Sequence, residues 1–136
     1  MAAPKLNNWN VSYASISFFE RAMRGHSKVH SFERIRDIYF KIELKNDQRI
    51  NVLLVNEYVL GVAAIHRAIE EFGHFDHIVT AGNWNGYTYE AKEYVNLNGF
   101  GVFNTEEFFG ALHVADPRTY YKKGENGKPV YAYKTA

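Results

Sequence analysis

The chain has 136 residues, one domain by length, and is long enough to bury roughly two-thirds of its unfolded surface. Apolar residues make up 46% and aromatic residues 16%, so a core forms without staples, while the absence of cysteine excludes disulfides, thiolate metal sites and cysteine nucleophiles. The net charge of +1 conceals an uneven spread: residues 1–51 carry nine Lys/Arg against five acids, 52–117 two against nine, and 118–136 five against one.

Basic ends steer a protein towards a polyanion in the functional reading, and are ordinary solvated faces in the simpler one. The opening MAAPKLNNWN has no apolar signal region, and no window approaches about 18 continuous apolar residues. The expectation is a soluble, cytoplasmic protein with no membrane association.

In chain order, VSYASISFFERAMRG reads as a helix with Ile16, Phe19 and Met23 on one face and Gly25 as its stop. KVHSFERI reads as a short strand. IYFKIELK alternates, with Ile38, Phe40, Ile42 and Leu44 inward and Tyr39, Lys41, Glu43 and Lys45 outward. After a turn at Asn46-Asp47, INVLLV is apolar on both faces, as in a central strand. VLGVAAIHRAIEEFG gives a helix with Ile65, Ala68, Ile69 and Phe72 inward and Gly73 at its end. The strand HIVT then leads into the loop TAGNWNGYT and a helix from Thr88, its N-cap, to about Asn98-Gly99. FGVF is a last short strand, Thr105 caps the helix EEFFGALH, and TYYKKGENGKPVYAYK is a basic hairpin around Gly124–Gly127. The fold class expected is α/β with a mixed sheet: three mainly antiparallel strands, a strand–helix–strand crossover, and helices on both faces.

This order, with Thr80, Gly82, Thr88, Ala91, Tyr94 and Asn98-Gly99 in the segment HIVTAG…YTYEAKEYVNLNGFGVF, resembles the restriction-endonuclease-like (PD-(D/E)XK) superfamily, especially its Mrr-type branch. The resemblance covers roughly residues 12–112, and its sharp part is about 25 residues. It implies an Asp on one strand and a Glu-x-Lys on the next, two carboxylates holding Mg²⁺ and a lysine serving the attacking water. At the Glu-x-Lys place stand Leu54, Val55 and Asn56. Asp37 fits the first acid, Glu57 is the remaining candidate partner, and Glu20 on the first helix is a third. The chain's own Glu43-x-Lys45 lies on the amphipathic strand, about 20 Å from Asp37 at 3.3 Å per residue, too far for one metal. The resemblance therefore implies a nuclease-like scaffold whose metal site is lost, with no cofactor, or Mg²⁺ if an unconventional site survives.

Other constellations are weaker. His74 and His77, eight and eleven residues after His66, fall in a helix-to-strand connection where imidazoles face solvent, and His26 and His30 offer no better metal spacing. No Gly-x-Ser-x-Gly elbow anchors a triad. The loop is neither a Walker A nor a Rossmann fingerprint, yet it follows a strand and opens a helix, where backbone N–H groups can face an anion. Within it, Asn83, Trp84 and Asn85 are the candidate ligand-binding residues, since no capping or turn rule asks for a tryptophan there. Trp84 is expected to plug the sheet end, the alternative being an exposed ring at the strand ends. In the tail, Tyr120, Tyr121, Tyr131 and Tyr133 interleave with Lys122, Lys123, Lys128 and Lys134; they suit base stacking with phosphate contact, or a soluble sheet edge.

The functional expectation is a non-catalytic nuclease-like binding protein of the kind found in phage or mobile elements. It contacts nucleic acid or a nucleic-acid-handling partner protein, with a homodimer left open. The alternatives are an active Mg²⁺ nuclease using Asp37, Glu57 and Glu20, and a small-ligand module that grips an anionic ligand such as a nucleotide with the 80–88 loop.

Overall fold

A three-strand meander starts the sheet, after one helix that packs across it. The structure, a computed structural model, describes residues 7–82 and 84–135. Helix α1 (Tyr13–Gly25) begins where the Ser12 side chain accepts the Ser15 amide, and it buries Ile16, Phe19 and Met23. Strands β1 (Val29–Ile35), β2 (Tyr39–Leu44) and β3 (Arg49–Val55) pair antiparallel in chain order. The turn between β1 and β2 places Arg36 and Asp37 at φ 49° and 64°, and Asp47 in the next turn lies at 69°. Aspartate tolerates this left-handed region better than most residues.

A two-residue strand β4 (Val59–Leu60) then precedes α2 (Val62–Phe72), β5 (His77–Thr80), β6 (Gly86–Tyr87), α3 (Tyr89–Leu97), β7 (Gly101–Asn104) and α4 (Thr105–Ala111). Both β3–β5 and β5–β7 are parallel, so the main sheet runs β1-β2-β3-β5-β7 with its meander on one side and its crossovers on the other. That is the mixed sheet the patterning implies. The short β4 and β6 pair parallel in a separate ribbon, which the sequence reading did not anticipate. A single turn at Pro117–Thr119 leads to the hairpin of β8 (Lys122–Lys123) and β9 (Pro129–Val130). The chain then returns to β6, where Tyr87 N–H donates to Ala132 O over 3.0 Å and Lys134 N–H to Tyr87 O over 2.9 Å.

Alternation along the strands sorts the core into two faces. Phe40 meets Phe19 of α1 at 4.8 Å between ring centroids, and Phe103 meets Phe108 of α4 at 6.1 Å, so α1 and α4 share one face. Tyr39 stacks on Phe72 of α2 at 6.1 Å, and His66 of α2 meets Tyr94 of α3 at 4.9 Å, so those helices cover the other. Tyr39 therefore corrects the simple in-out reading of β2: it is buried, and its hydroxyl donates to His74 O. The helix α4 starts one residue earlier than expected, because Asn104 rather than Thr105 caps it in a capping box with Glu107. Among the described residues no helix is long and apolar enough to cross a membrane.

Candidate functional site at the carboxyl end of the sheet

Register brings Val55, Thr80 and Asn104 side by side, so the carboxyl ends of the three parallel strands lie together. In open α/β sheets this edge is where ligands bind. The three acids that the resemblance singles out sit around it without forming a cluster. Arg34 Nε lies 3.7 Å from Glu20, and Arg34 Nη1 3.6 Å from Asp37, so one guanidinium holds both carboxylates. Glu57 instead faces Arg67 of α2 at 3.2 Å, while its backbone is locked by Thr80, whose Oγ1 accepts Glu57 N–H and donates to Glu57 O. Among the described residues no group of three or more His, Asp or Glu side chains is placed to hold a metal ion.

The Asn85 side chain ties the loop of residues 80–88 to its surroundings. Asn85 Nδ2 donates to Asn56 Oδ1 at 2.8 Å, Ala81 O at 2.7 Å and Thr80 Oγ1 at 3.2 Å. Gly82, at φ 87°, donates its N–H to Thr105 Oγ1 over 3.0 Å. With Asn85 turned inward, Trp84 is 84% exposed, which overturns the expectation that it plugs the sheet end. Asn83 lies outside the described residues. Thr88 caps α3 as expected, accepting the Ala91 amide.

Beside this loop opens a crevice of about 430 Å³, walled by Phe18 and Phe19 of α1 and Phe109 of α4, with buried Leu54 and Thr105 also lining it and half-exposed Glu106 at its rim. Leu54 occupies the position where the resemblance calls for a metal-binding glutamate. Sequence reasoning missed this crevice, although the doublets Phe18-Phe19 and Phe108-Phe109 carried the signal. A helix cannot bury two adjacent large rings equally, and the leftover members, Phe18 and Phe109, become the walls.

The tail supplies a second surface. Tyr121 and Tyr131 lie 6.4 Å apart between ring centroids, Tyr131 and Tyr133 5.2 Å, and Tyr133 and Tyr89 5.6 Å. Lys134 Nζ stands 4.5 Å above the ring of the exposed Tyr58. Lys122 reaches Glu106 at the crevice rim over 2.7 Å, while Lys123 and Lys128 are exposed. Tyr58 and Tyr89 were not legible as members, since only folding brings them to the tail.

Two buried polar groups lack hydrogen-bond partners among the described residues, His77 Nδ1 and Lys92 Nζ. His77 is 3% exposed, packed on Phe103 and Phe108, which corrects the expectation that it faces solvent. Burial lowers its pKa to about 4, with Arg118 and Lys92 adding to the fall and Asp76 and Asp116 opposing it. Lys92 lies 5.2–5.5 Å from the rings of Tyr87, Phe103 and Tyr131, and burial holds its pKa below the usual lysine range despite Glu107. Tyr87 donates to Glu107 Oε2 over 2.9 Å, and burial followed by that charge raises its pKa. Of the other histidines, His74 contacts Asp76 at 3.3 Å, His26 contacts Phe109 O at 2.9 Å, and His30 is exposed.

These features belong to a mixed α/β protein with a five-stranded sheet and four helices. Compared with known proteins, the chain matches no family model, no curated protein and no solved structure at a significant level.

Proposed function

We propose that the chain is a non-catalytic binding protein on a nuclease-like core, and that it holds single-stranded nucleic acid along its C-terminal tyrosine–lysine surface. One observation carries the reading: Tyr121, Tyr131, Tyr133 and Tyr89 form a run of rings at 5.2–6.4 Å, in a tail whose sequence interleaves Lys122, Lys123, Lys128 and Lys134 with three of them. Rings offer a stacking face to any base, and lysines neutralise the phosphates beside them, which is how strands are held without reading sequence. The non-catalytic part is supported by the acids, since Glu20, Asp37 and Glu57 are engaged by arginines and Leu54 stands in the glutamate's place.

The test is a salt titration of binding to labelled single strands and duplexes. Single strands should bind more tightly, with log K falling against log salt at a slope of about −2 to −3, as four lysine–phosphate contacts at roughly −0.7 each require. Replacing Tyr133 or Tyr89 by Ala should weaken binding about tenfold, the usual loss for one stacked base. A salt-independent response would remove the nucleic-acid reading in favour of a protein partner. Strand cleavage with Mg²⁺ that is lost on Asp37→Ala would overturn the non-catalytic one.

A further inference from the structure

We infer that the crevice between α1 and α4 takes one unstacked guanine base from the bound strand, an inference that rests on the function proposed above. Its volume, about 430 Å³, falls within the range of small-molecule sites. Phe18 and Phe109 pack on one another at 6.4 Å between centroids and 40° tilt, and Phe18 is left 53% exposed. A flat ring entering the crevice stacks on the exposed face of Phe18 and covers apolar surface that the fold leaves wet. Ala81 and Gly82 also line the crevice, and the space beside Gly82 is open.

The polar rim favours guanine. Glu106 presents a carboxylate, an acceptor for two N–H groups, and guanine offers adjacent N1–H and N2–H donors on one edge. Adenine, cytosine and thymine do not present such a pair there. Thr105 Oγ1 accepts the Gly82 amide, which leaves its hydroxyl proton to donate to the neighbouring guanine O6.

The crevice also joins the tyrosine surface. Lys122, adjacent to Tyr121 in the ladder, bonds Glu106 at 2.7 Å. A strand lying on the ladder brings a phosphate to Lys122. That ammonium then leaves Glu106, and the freed carboxylate meets the base. Lys122 exchanges one anion for another, while Glu106 exchanges the ammonium for two neutral N–H donors and stays half exposed to solvent, which screens its charge.

The experiment compares short oligothymidylates that carry guanine, adenine, cytosine or an abasic residue at one central position, for the wild-type chain, Phe18→Ala and Glu106→Gln. The guanine strand should bind about tenfold more tightly than the others, and both variants should erase that margin. Glu106→Gln is informative in a second way, because it removes a negative charge beside Lys122. A purely electrostatic role raises the affinity of all strands alike and keeps their ranking; loss of the ranking marks a base contact. Phe18 is half exposed, so its truncation leaves the fold intact, which thermal unfolding of the variant checks. Equal binding of all strands, or a ranking that survives both variants, overturns the guanine site and leaves the tyrosine surface standing. Failure of every strand to bind at low salt overturns both.

Discussion

Asn85 donates its side-chain amide to Asn56 over 2.8 Å, tying the loop after β5 to the end of β3. Asn56 directly follows β3, so the strand end is used as a latch for the loop. Asn85 also serves Ala81 O and Thr80 Oγ1, and no neighbour replaces it. Asn85→Ala should therefore cost about 1–2 kcal/mol in urea unfolding. Trp84→Ala, one residue away but exposed, should change stability by less than about 0.5 kcal/mol. A reversed order of the two effects would mean that the loop is anchored through the indole.

The contrast between these neighbours shows what was legible. Period and capping rules located every helix and every long strand, because Ile16-Phe19-Met23, the alternation in β2 and the Gly73 and Gly99 stops are local signals. The ribbon of β4 and β6 was not legible. Two-residue strands have no period, and their pairing depends on the chain returning at Ala132 and Lys134. Trp84 was misplaced because size argues for burial, whereas the short Asn85 amide satisfies three acceptors that an indole cannot reach. The separation of the acids is likewise non-local: Glu20 and Asp37 are drawn together only by Arg34, and Glu57 is drawn away by Arg67.

Asp37 is a direct test of the resemblance. Its ion pair with Arg34 is half exposed, a class of interaction worth about 0–1 kcal/mol, and asparagine accepts its left-handed backbone. Asp37→Asn should thus leave stability within about 1 kcal/mol and strand affinity unchanged. The same holds for Glu57→Gln, whose partner Arg67 also stacks on Trp9 at 4.2 Å. Loss of Mg²⁺-dependent heat stabilisation in either variant would show that these acids hold a metal after all.

His77 should make the fold acid-labile. Its folded pKa of about 4 lies below the ordinary 6.5, so the unfolded chain takes up the proton first. The stability contributed by the neutral ring is complete above about pH 6.5, falls as pH drops, and levels off below about pH 4. The difference in pKa corresponds to about 3 kcal/mol in total. Urea unfolding between pH 7 and 4 measures it against His77→Gln, which lacks the titration and should show a flatter profile. Parallel profiles would place the titrating group elsewhere. Gly101→Ala should destabilise the same place at all pH values, because a Cβ there collides with the His77 ring and with Phe103.

Gly86 couples the ladder to the sheet. A Cβ at this position collides with the carbonyl oxygen of Ala132, which is backbone and cannot swing aside, so Gly86→Ala must push residues 132–134 off β6. The amides held there, Tyr87 N–H on Ala132 O and Lys134 N–H on Tyr87 O, should then exchange with solvent faster. Tyr133 would lose its fixed place between Tyr131 and Tyr89, and a strand would lose the pre-formed run of rings. Single-strand affinity should fall about tenfold, as far as for Tyr133→Ala, although no residue of the ladder has changed. Faster exchange at Lys134 with undiminished affinity would separate the docked tail from binding, and the tyrosine run would then be packing alone.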